Sequence, residues 1–549
     1  MPESSTTLHL DGLQIETNSM VLLQATDVSI AAGKITVIVG ASGVGKSVLL
    51  RMIAGLIDKQ DSSIHWTGHV RLKTSDSRLS SRESSGKDTL SRSERRLLKG
   101  SPNSGGNVGV VFQQFALFDE LTPAENIQFA IDHAAGKNTA TTEPESLTSL
   151  QWLEELGVPA LTPVAFLSGG QKQRLAIART LAANPDVVLY DEPSSGLDAA
   201  TGRQVASLIA KTHRKFGRTS VIVTHDYETM LGIADEVILF DSQSKSLQRI
   251  ERQGWQQVPR RITAVTLPTP SKSQGRPAIA RRTMARLESF LTQSGNAVLA
   301  GVTLPWTLRP NFPSWKWATR FFLHYLKLVG GISASIYLII AGLIAGFTTT
   351  YFTFRFLPFR VYTQPLLIDE LLSAIGFALY RVLVPVLATV LIAARCGAAV
   401  AADVGVKRYS GSVDAMRTFG IAPRLYLLIP IVAAMVVAVP WLEWLAFESA
   451  RWISAVTFKV THPEIGDFFW RQHFDARISE SDGLLASEAF RWVMLKNLLC
   501  GVGSGVIGYY RGISPKRSAS DVSQAITATV LWSTLYVLVV HFMIALLEF

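Results

Sequence analysis

Residues 332–353, ISASIYLIIAGLIAGFTTTYFT, run for 22 positions without a charged side chain. As a helix rising ~1.5 Å per residue, such a run covers ~30 Å, the thickness of the hydrocarbon core of a bilayer. Three further stretches share this character: 371–394, with Arg381 as its one charge and Pro385 within it; 425–442, with Pro430 and Pro440; and 525–547, with His541 as its one basic side chain and no acid. Residues 489–510 form a fifth candidate, whose Arg491 and Lys496 lie in its first third, where they can snorkel to an interface. The C-terminal half is therefore expected to be an all-α transmembrane domain of about five spans. A mean hydropathy of +0.24 agrees with this and excludes a disordered chain.

The net charge of +10 is unevenly spread: residues 71–99 hold nine Lys/Arg against four Asp/Glu, and residues 242–282 hold nine against one. These two Ser- and Pro-rich segments hold more than the whole excess, so no folded basic groove for nucleic acid is expected. They read as solvated or headgroup-facing tethers. Cys396 and Cys500, both in apolar runs, cannot build a disulfide framework. The opening segment MPESSTTLHLDGLQIETN is polar, which places the N-terminus in the cytosol and, after five spans, Phe549 on the far side. Lys/Arg in 395–424 and 511–517 mark those loops as internal.

From residue 8 to about 241, short β-branched runs alternate with helical stretches, the pattern of an α/β domain with a largely parallel sheet. The expected order is an α/β domain over 1–241, a basic linker over 242–282, and a membrane domain over 283–549. The last should open with an interfacial helix, since Trp306, Trp315 and Trp317 stand beside Arg309, Lys316 and Arg320. Within the first domain, Gly40-Ala41-Ser42-Gly43-Val44-Gly45-Lys46-Ser47 follows the apolar strand KITVIV and precedes VLLRMIAGL. This is the P-loop pattern: backbone N–H groups and a helix N-terminus face phosphates, Lys46 reaches the β/γ phosphates, and Ser47 can ligate Mg²⁺. The strand Val187–Tyr190 ends in Asp191 and Glu192, which puts Asp191 in place to hold Mg²⁺ and Glu192 in place to orient the attacking water.

Leu167-Ser168-Gly169-Gly170-Gln171, followed by KQRLAIARTLA, narrows the reading. With it, residues 8–241 resemble the ATP-binding cassette (ABC) ATPases. The resemblance implies that Ser168, Gly169, Gly170 and Gln171 contact the γ-phosphate of ATP held by an opposite copy, so that two cassettes meet head to tail. It implies that Gln113 in VFQQ senses Mg²⁺ and the membrane domain, that Asp198 in SSGLD crosses the dimer contact, and that His225 in VTHD reaches the γ-phosphate. Glu192, His225 and Gln113 are thus the expected catalytic set, Gly40, Ser42 through Ser47, Ser168 through Gln171 and Asp198 the ATP-binding set, and Ser47, Gln113 and Asp191 the Mg²⁺ set. Two features depart from the family: only Thr17 stands near the place of the usual adenine-stacking aromatic, and 67 residues separate Lys46 from Gln113 because of the 71–99 insertion, read as a surface loop.

After the second span the chain reads ARCGAAVAADVG, then VKRYSGSVDAMRTFGIAPRLYLLIP, in which SVDAMRTFG is a short helix bracketed by Gly411 and Gly420. Together with GLIAGF in the first span and GYYRG at 508–512, these stretches make residues 283–549 resemble the MlaE-type permeases of bacterial phospholipid-trafficking systems. Asp403 replaces the family's usual Glu, and Val382 follows Arg381 where an acid is usual. The resemblance implies an ATP hydrolase coupled to transport in the bacterial inner (cytoplasmic) membrane, its ATPase domain cytoplasmic. It further implies a second copy as partner, phospholipid as cargo and an MCE-domain extracytoplasmic protein as a further partner. The rival readings are an ABC exporter of amphiphilic small molecules and an ATP-driven transmembrane mechanotransmitter.

Overall fold

The computed structural model describes residues 6–17, 20–57, 64–74, 108–134, 147–258, 306, 308–356, 360–478, 488–516 and 518–548. The chain divides into two compact units, Met1–Arg309 with Ser410–Pro423, and Pro310–Tyr409 with Arg424–Phe549.

The first unit carries β1 (Thr6–Thr17), β2 (Met20–Ile30), β3 (Ile35–Gly40), β4 (Ile64–Thr74), β5 (Val108–Val111), β6 (Val187–Asp191), β7 (Thr219–Thr224), β8 (Glu236–Asp241) and β9 (Ser246–Ile250). An antiparallel sheet has the order β2-β1-β4, and a six-stranded sheet the order β5-β6-β7-β3-β8-β9, parallel except for β9. Strands β3, β6 and β7 are buried along their whole length, which is why they read as continuous β-branched runs rather than as alternating patterns. On one face Val37 and Val39 pack with Leu175, Ile177 and Ile209. On the other, Ile38 and Leu189 pack with Leu49 and with Leu8 and Leu10 of the antiparallel sheet.

The helices are α1 (Lys46–Ile53), α2 (Pro123–His133), α3 (Ser149–Glu155), α4 (Gly169–Ala182) and α5 (Ala199–Phe216). In a parallel sheet the strand ends converge on one edge, so Gly40, Asp191 and Thr224, which end β3, β6 and β7, bring the segments that follow them together. The ordered chain continues past Asp241: β9 pairs with β8, and Val258 is buried in the core, so the basic segment expected to begin at 242 starts inside the fold. Of the 71–99 insertion, residues to Thr74 end β4, and the remainder lies outside the described residues.

The second unit is helical: α6 (Trp315–Gly330), α7 (Ile332–Arg355), α8 (Arg360–Phe377), a π-helical stretch (Ala378–Leu383), α9 (Val384–Tyr409), α10 (Leu428–Thr461), α11 (Asp467–Phe474), α12 (Glu488–Ile513) and α13 (Ala519–Glu548). Among the described residues, four helical rods are long and apolar enough to cross a bilayer: Trp315–Arg355, Leu367–Tyr409, Pro423–Thr461 and Ala519–Glu548. The fifth expected span is α12, whose 26 residues suffice in length. It is more polar than the other four, and it packs against α9, α10 and α13 with Lys496 and Asn497 buried.

Of the interfacial helix expected over 283–320, residues 283–305 lie outside the described residues; the described helix begins at Trp315 and runs to Gly330 before a break into α7. Trp315 is exposed, whereas Trp317 is buried, so Trp317 holds the bundle rather than meeting a lipid surface.

The GLIAG stretch has a packing reason. A Cβ at Gly342 or Gly346 would collide with the carbonyl of Ala446 or Ala450, so these two glycines let α7 lie directly against α10. Several polar groups inside the bundle are paired. Arg381 Nε donates to Glu548 at 2.6 Å, Lys496 Nζ lies 2.5 Å from the same carboxylate, and His541 Nε2 is 2.8 Å from Thr389 Oγ1. Asp403 accepts from Tyr325 Oη and Lys407 Nζ, joining α6 to α9.

Candidate functional site

The P-loop turns out of β3 into α1. Gly43 and Gly45 have φ of 81° and 111°, backbone that residues with a Cβ rarely adopt, and the turn delivers Lys46 and Ser47 as the first residues of the helix. Lys46 is buried. Its Nζ donates to the carbonyls of Gly40 and Ala41 at 3.0 Å each and lies 3.7 Å from Glu192 Oε1. Burial pushes its amine below the ordinary lysine value, opposed by the Glu192 carboxylate. A buried ammonium held by two carbonyls and one acid fits a phosphate, a stronger acceptor than either carbonyl.

Ser47 Oγ donates to Asp191 Oδ1 at 2.7 Å. Burial raises the Asp191 carboxyl, and the hydrogen bond from Ser47 opposes the rise. A hydroxyl and a carboxylate in contact form an oxygen-only donor pair, which suits Mg²⁺. Gln113, the third residue expected to hold Mg²⁺, is not joined to that pair here. It is exposed, and its Nε2 donates to Ser195 Oγ at 3.3 Å, in the turn after Glu192.

Glu192 has φ of 51°, the left-handed region in which a non-glycine residue is strained, and it is buried. Its N–H donates to Val223 O at 2.9 Å, while Oε2 lies 2.5 Å from His225 Nδ1. The strand ends thus bring Lys46, Ser47, Asp191, Glu192 and His225 into one cluster.

The LSGGQ segment is built differently. Ser168 caps α4: its Oγ accepts from Gln171 N at 3.3 Å and its N–H donates to Gln171 Oε1 at 2.9 Å, so the two polar side chains of the segment hold each other. Gly170 approaches Thr201 closely, and Asp198, the cap of α5, accepts from Thr201 Oγ1 at 2.6 Å and from two backbone N–H groups. Those bonds hold the Asp198 carboxyl below its usual range. Ser168, Gly169, Gly170, Gln171 and Asp198 therefore form a second group, with no hydrogen bond to the P-loop cluster among the described residues.

A third element had only part of its signal in the sequence. The helix Ser412–Thr418 is bracketed by Gly411 and Gly420 as expected, both with positive φ. It belongs to the first unit. Ser412 Oγ donates to Leu117 O at 2.8 Å, Phe419 packs edge-on to Phe129 with centroids 6.4 Å apart, and Arg179 lies 5.7 Å from the Phe419 ring. Arg179 is fully buried and also donates to the carbonyls of Ala116 and Phe115. The strip Phe112–Phe118 therefore carries Gln113 at one end and this seat at the other, and it is bent by Phe115 and Ala116, with φ of 63° and 53°. Sequence reasoning missed Arg179 and Phe419. Nothing in their spacing distinguishes a seat residue from an ordinary helix position, although a lone arginine in the apolar run LAIARTLA was a signal.

Comparison with known proteins places these units. Residues 23–195 match the family model described as ABC transporter, and residues 322–547 match that described as Permease MlaE. The chain is 35% identical over 236 residues to the sulfate/thiosulfate import ATP-binding protein CysA of Mesostigma viride, covering 42% of this chain and 59% of that protein. It is 35% identical over 223 residues to the maltose/maltodextrin import ATP-binding protein MalK of Escherichia coli (strain K12), covering 41% and 52%. The chain thus spans a little over half the length of the curated relatives it matches. Among solved structures, a dimeric post-hydrolysis state of the ATP-binding cassette MJ0796 bound to ADP and Pi is 27% identical, covering 44% of this chain and 97% of that one, with a TM-score of 0.34.

Proposed function

Since residues 23–195 match the ABC transporter family model and residues 322–547 the Permease MlaE model, we propose that the chain is an ATP-driven lipid transporter whose cargo is phospholipid. It works as two identical copies in a bacterial inner membrane with its ATPase units on the cytoplasmic side, beside an MCE-type partner. The observation that carries this reading is the strip Phe112–Phe118. Gln113 hydrogen-bonds the turn after Glu192; a few residues on, Leu117 O accepts from Ser412 in the segment that joins α9 to α10, while Ala116 O accepts from Arg179, which lies over Phe419 of that segment. A change at the nucleotide therefore has a short, packed route to the segment that joins α9 to α10.

In this account ATP lies on the P-loop, with Lys46 on the terminal phosphates. Ser47 and Asp191 would hold Mg²⁺, which supplies charge neutralisation for the phosphates. Glu192 accepts a hydrogen bond from the attacking water, whose oxygen bonds to the γ-phosphorus as the bond to ADP breaks. His225, already on Glu192 at 2.5 Å, fixes the carboxylate's direction. The group of Ser168, Gly169, Gly170 and Gln171 completes the site of the second copy, which is supported by its bonding within the segment rather than to the P-loop of its own chain.

The test is full-length protein in proteoliposomes containing labelled phospholipid. ATP with Mg²⁺ moves lipid between leaflets or to an acceptor in the wild type and not in Glu192→Gln. Hydrolysis without any lipid movement, unaffected by an added MCE-domain protein, would defeat the reading.

A further inference from the structure

A pocket of ≈ 460 Å³ opens in the second unit between the last third of α10 and the start of α11. Its depth follows from helix geometry. Its first lining residue, Glu448, comes 20 residues after Leu428, where α10 begins. That is ~30 Å of helix, one hydrocarbon thickness. The pocket therefore lies at the level of lipid headgroups, on the side of the membrane opposite the start of α10.

Its donors lack acceptors. Trp470 is buried, and among the described residues its Nε1–H has no hydrogen-bond partner; the Nε–H of Arg451 is likewise buried and without a partner among them. The terminal nitrogens of Arg451 are taken by Asp475 at 2.5 Å and Glu448 at 3.8 Å, and Lys459 is matched with Asp467 at 3.2 Å. Arg471 also lines the pocket, exposed and with no acidic partner among the described residues. Cations lead acids in the lining by one, and the open valences are all N–H. What is missing is an anionic oxygen acceptor, and a guanidinium beside an indole N–H suits a phosphate.

An apolar track leaves the same place. Trp452, Val456 and Val460 stand at i, i+4 and i+8 on α10, all exposed, and the first two line the pocket. A free phosphate ion satisfies the donors and has no use for that track. A molecule with an anionic head and an acyl tail uses both.

We propose that this pocket binds the phosphate of a phospholipid headgroup in the far leaflet, with an acyl chain lying along Trp452, Val456 and Val460. The proposal rests on the lipid-transport reading and gives that cargo a defined station outside the ATPase. Trp470 and Arg471 bind the phosphate, and Arg451, braced by Asp475, positions it.

The experiment uses the full chain in nanodiscs of phosphatidylethanolamine and phosphatidylglycerol, with a photo-crosslinking amino acid at Val460 and, as a control for annular lipid, at Leu535, which is exposed on α13. Phospholipid adducts at position 460 should fall about tenfold with Arg471→Glu and severalfold with Trp470→Phe, a charge-assisted hydrogen bond being lost in each. Adducts at 535 should not change. Equal yields at 460 in wild type and both variants would overturn the proposal, as would diacylglycerol labelling 460 as well as phospholipid does. Loss of the adducts on adding millimolar inorganic phosphate would assign the pocket to the free ion instead, against the proposal. ATP-driven lipid movement by the wild type, measured in parallel, separates the two readings: movement without a specific adduct sinks only the pocket, and no movement sinks the transport reading.

Discussion

Replacing Phe419 with alanine tests whether the seat on the strip Phe112–Phe118 carries ATP-driven work. The ring is 7% exposed, packs edge-on to Phe129 and lies under the Arg179 guanidinium. Truncating a buried phenylalanine to alanine costs about 3 kcal/mol at the lower end of measured values, the range suited to a site at the border of a fold. At about 1.4 kcal/mol per factor of ten, this lowers the ratio of seated to unseated helix more than about a hundredfold. The bond from Ser412 to Leu117 and the covalent chain at both ends remain, so the segment stays near its seat without being held there. The cluster of Lys46, Ser47, Asp191 and Glu192 is untouched by this change. ATP hydrolysis in detergent should therefore stay within about twofold of wild type, while lipid moved per ATP in proteoliposomes falls by about tenfold or more, an order-of-magnitude expectation from the same loss. Phe419→Leu, which keeps most of the buried area, should recover most of the coupling. If Phe419→Ala moved as much lipid per ATP as the wild type, the seat would not be the transmission route.

Gly346→Leu drives a side chain into the Ala450 carbonyl and should lower the thermal midpoint of the purified protein in detergent, overpacking costing about 1–3 kcal/mol; an unchanged midpoint would show that α7 and α10 can separate freely. Arg381→Leu and Lys496→Leu should each be tolerated better than the pair, because Glu548 keeps one cation partner in either single variant and none in the double. The stranded carboxylate should then cost about 3–5 kcal/mol, read as non-additivity in a double-mutant cycle of unfolding; additive costs would argue against a shared partner. Asp198→Ala removes the cap of α5 and should lower the midpoint of the ATPase unit's transition in denaturant unfolding of the full chain; an unchanged midpoint would show that the cap does not hold α5.

Much of this was legible in the sequence, and the reasons differ by region. The P-loop cluster reads directly because a parallel sheet fixes where strand ends go, so residues after Val39, Tyr190 and Val223 have to meet. The seat of the short helix was legible only as a helix between glycines. Its partners Arg179 and Phe129 come from distant elements, and no periodicity announces them. Gln113 illustrates a subtler limit: the motif gives its position in the chain, while its bond to Ser195 depends on how the strip bends at Phe115 and Ala116. In the membrane unit, apolar length located four rods, but burial was misjudged at Trp317. The helix carrying Lys496 was less apolar than its place in the bundle suggests, because its polar groups are satisfied by Glu548 and the carbonyl of Arg381 rather than by water. The pocket at Arg451 and Trp470 left no trace in any motif, since it is assembled where α10 outruns the hydrocarbon and the chain folds back through α11.

The central claim is that two copies clamp nucleotide between the P-loop of one and the Ser168–Gln171 segment of the other, and mass measurement of the full chain in nanodiscs tests it most directly. With Glu192→Gln, ATP and Mg²⁺, the account requires two copies per disc and two trapped nucleotides, released when ATP is replaced by ADP. A single copy per disc that hydrolyses ATP at the wild-type rate would contradict it.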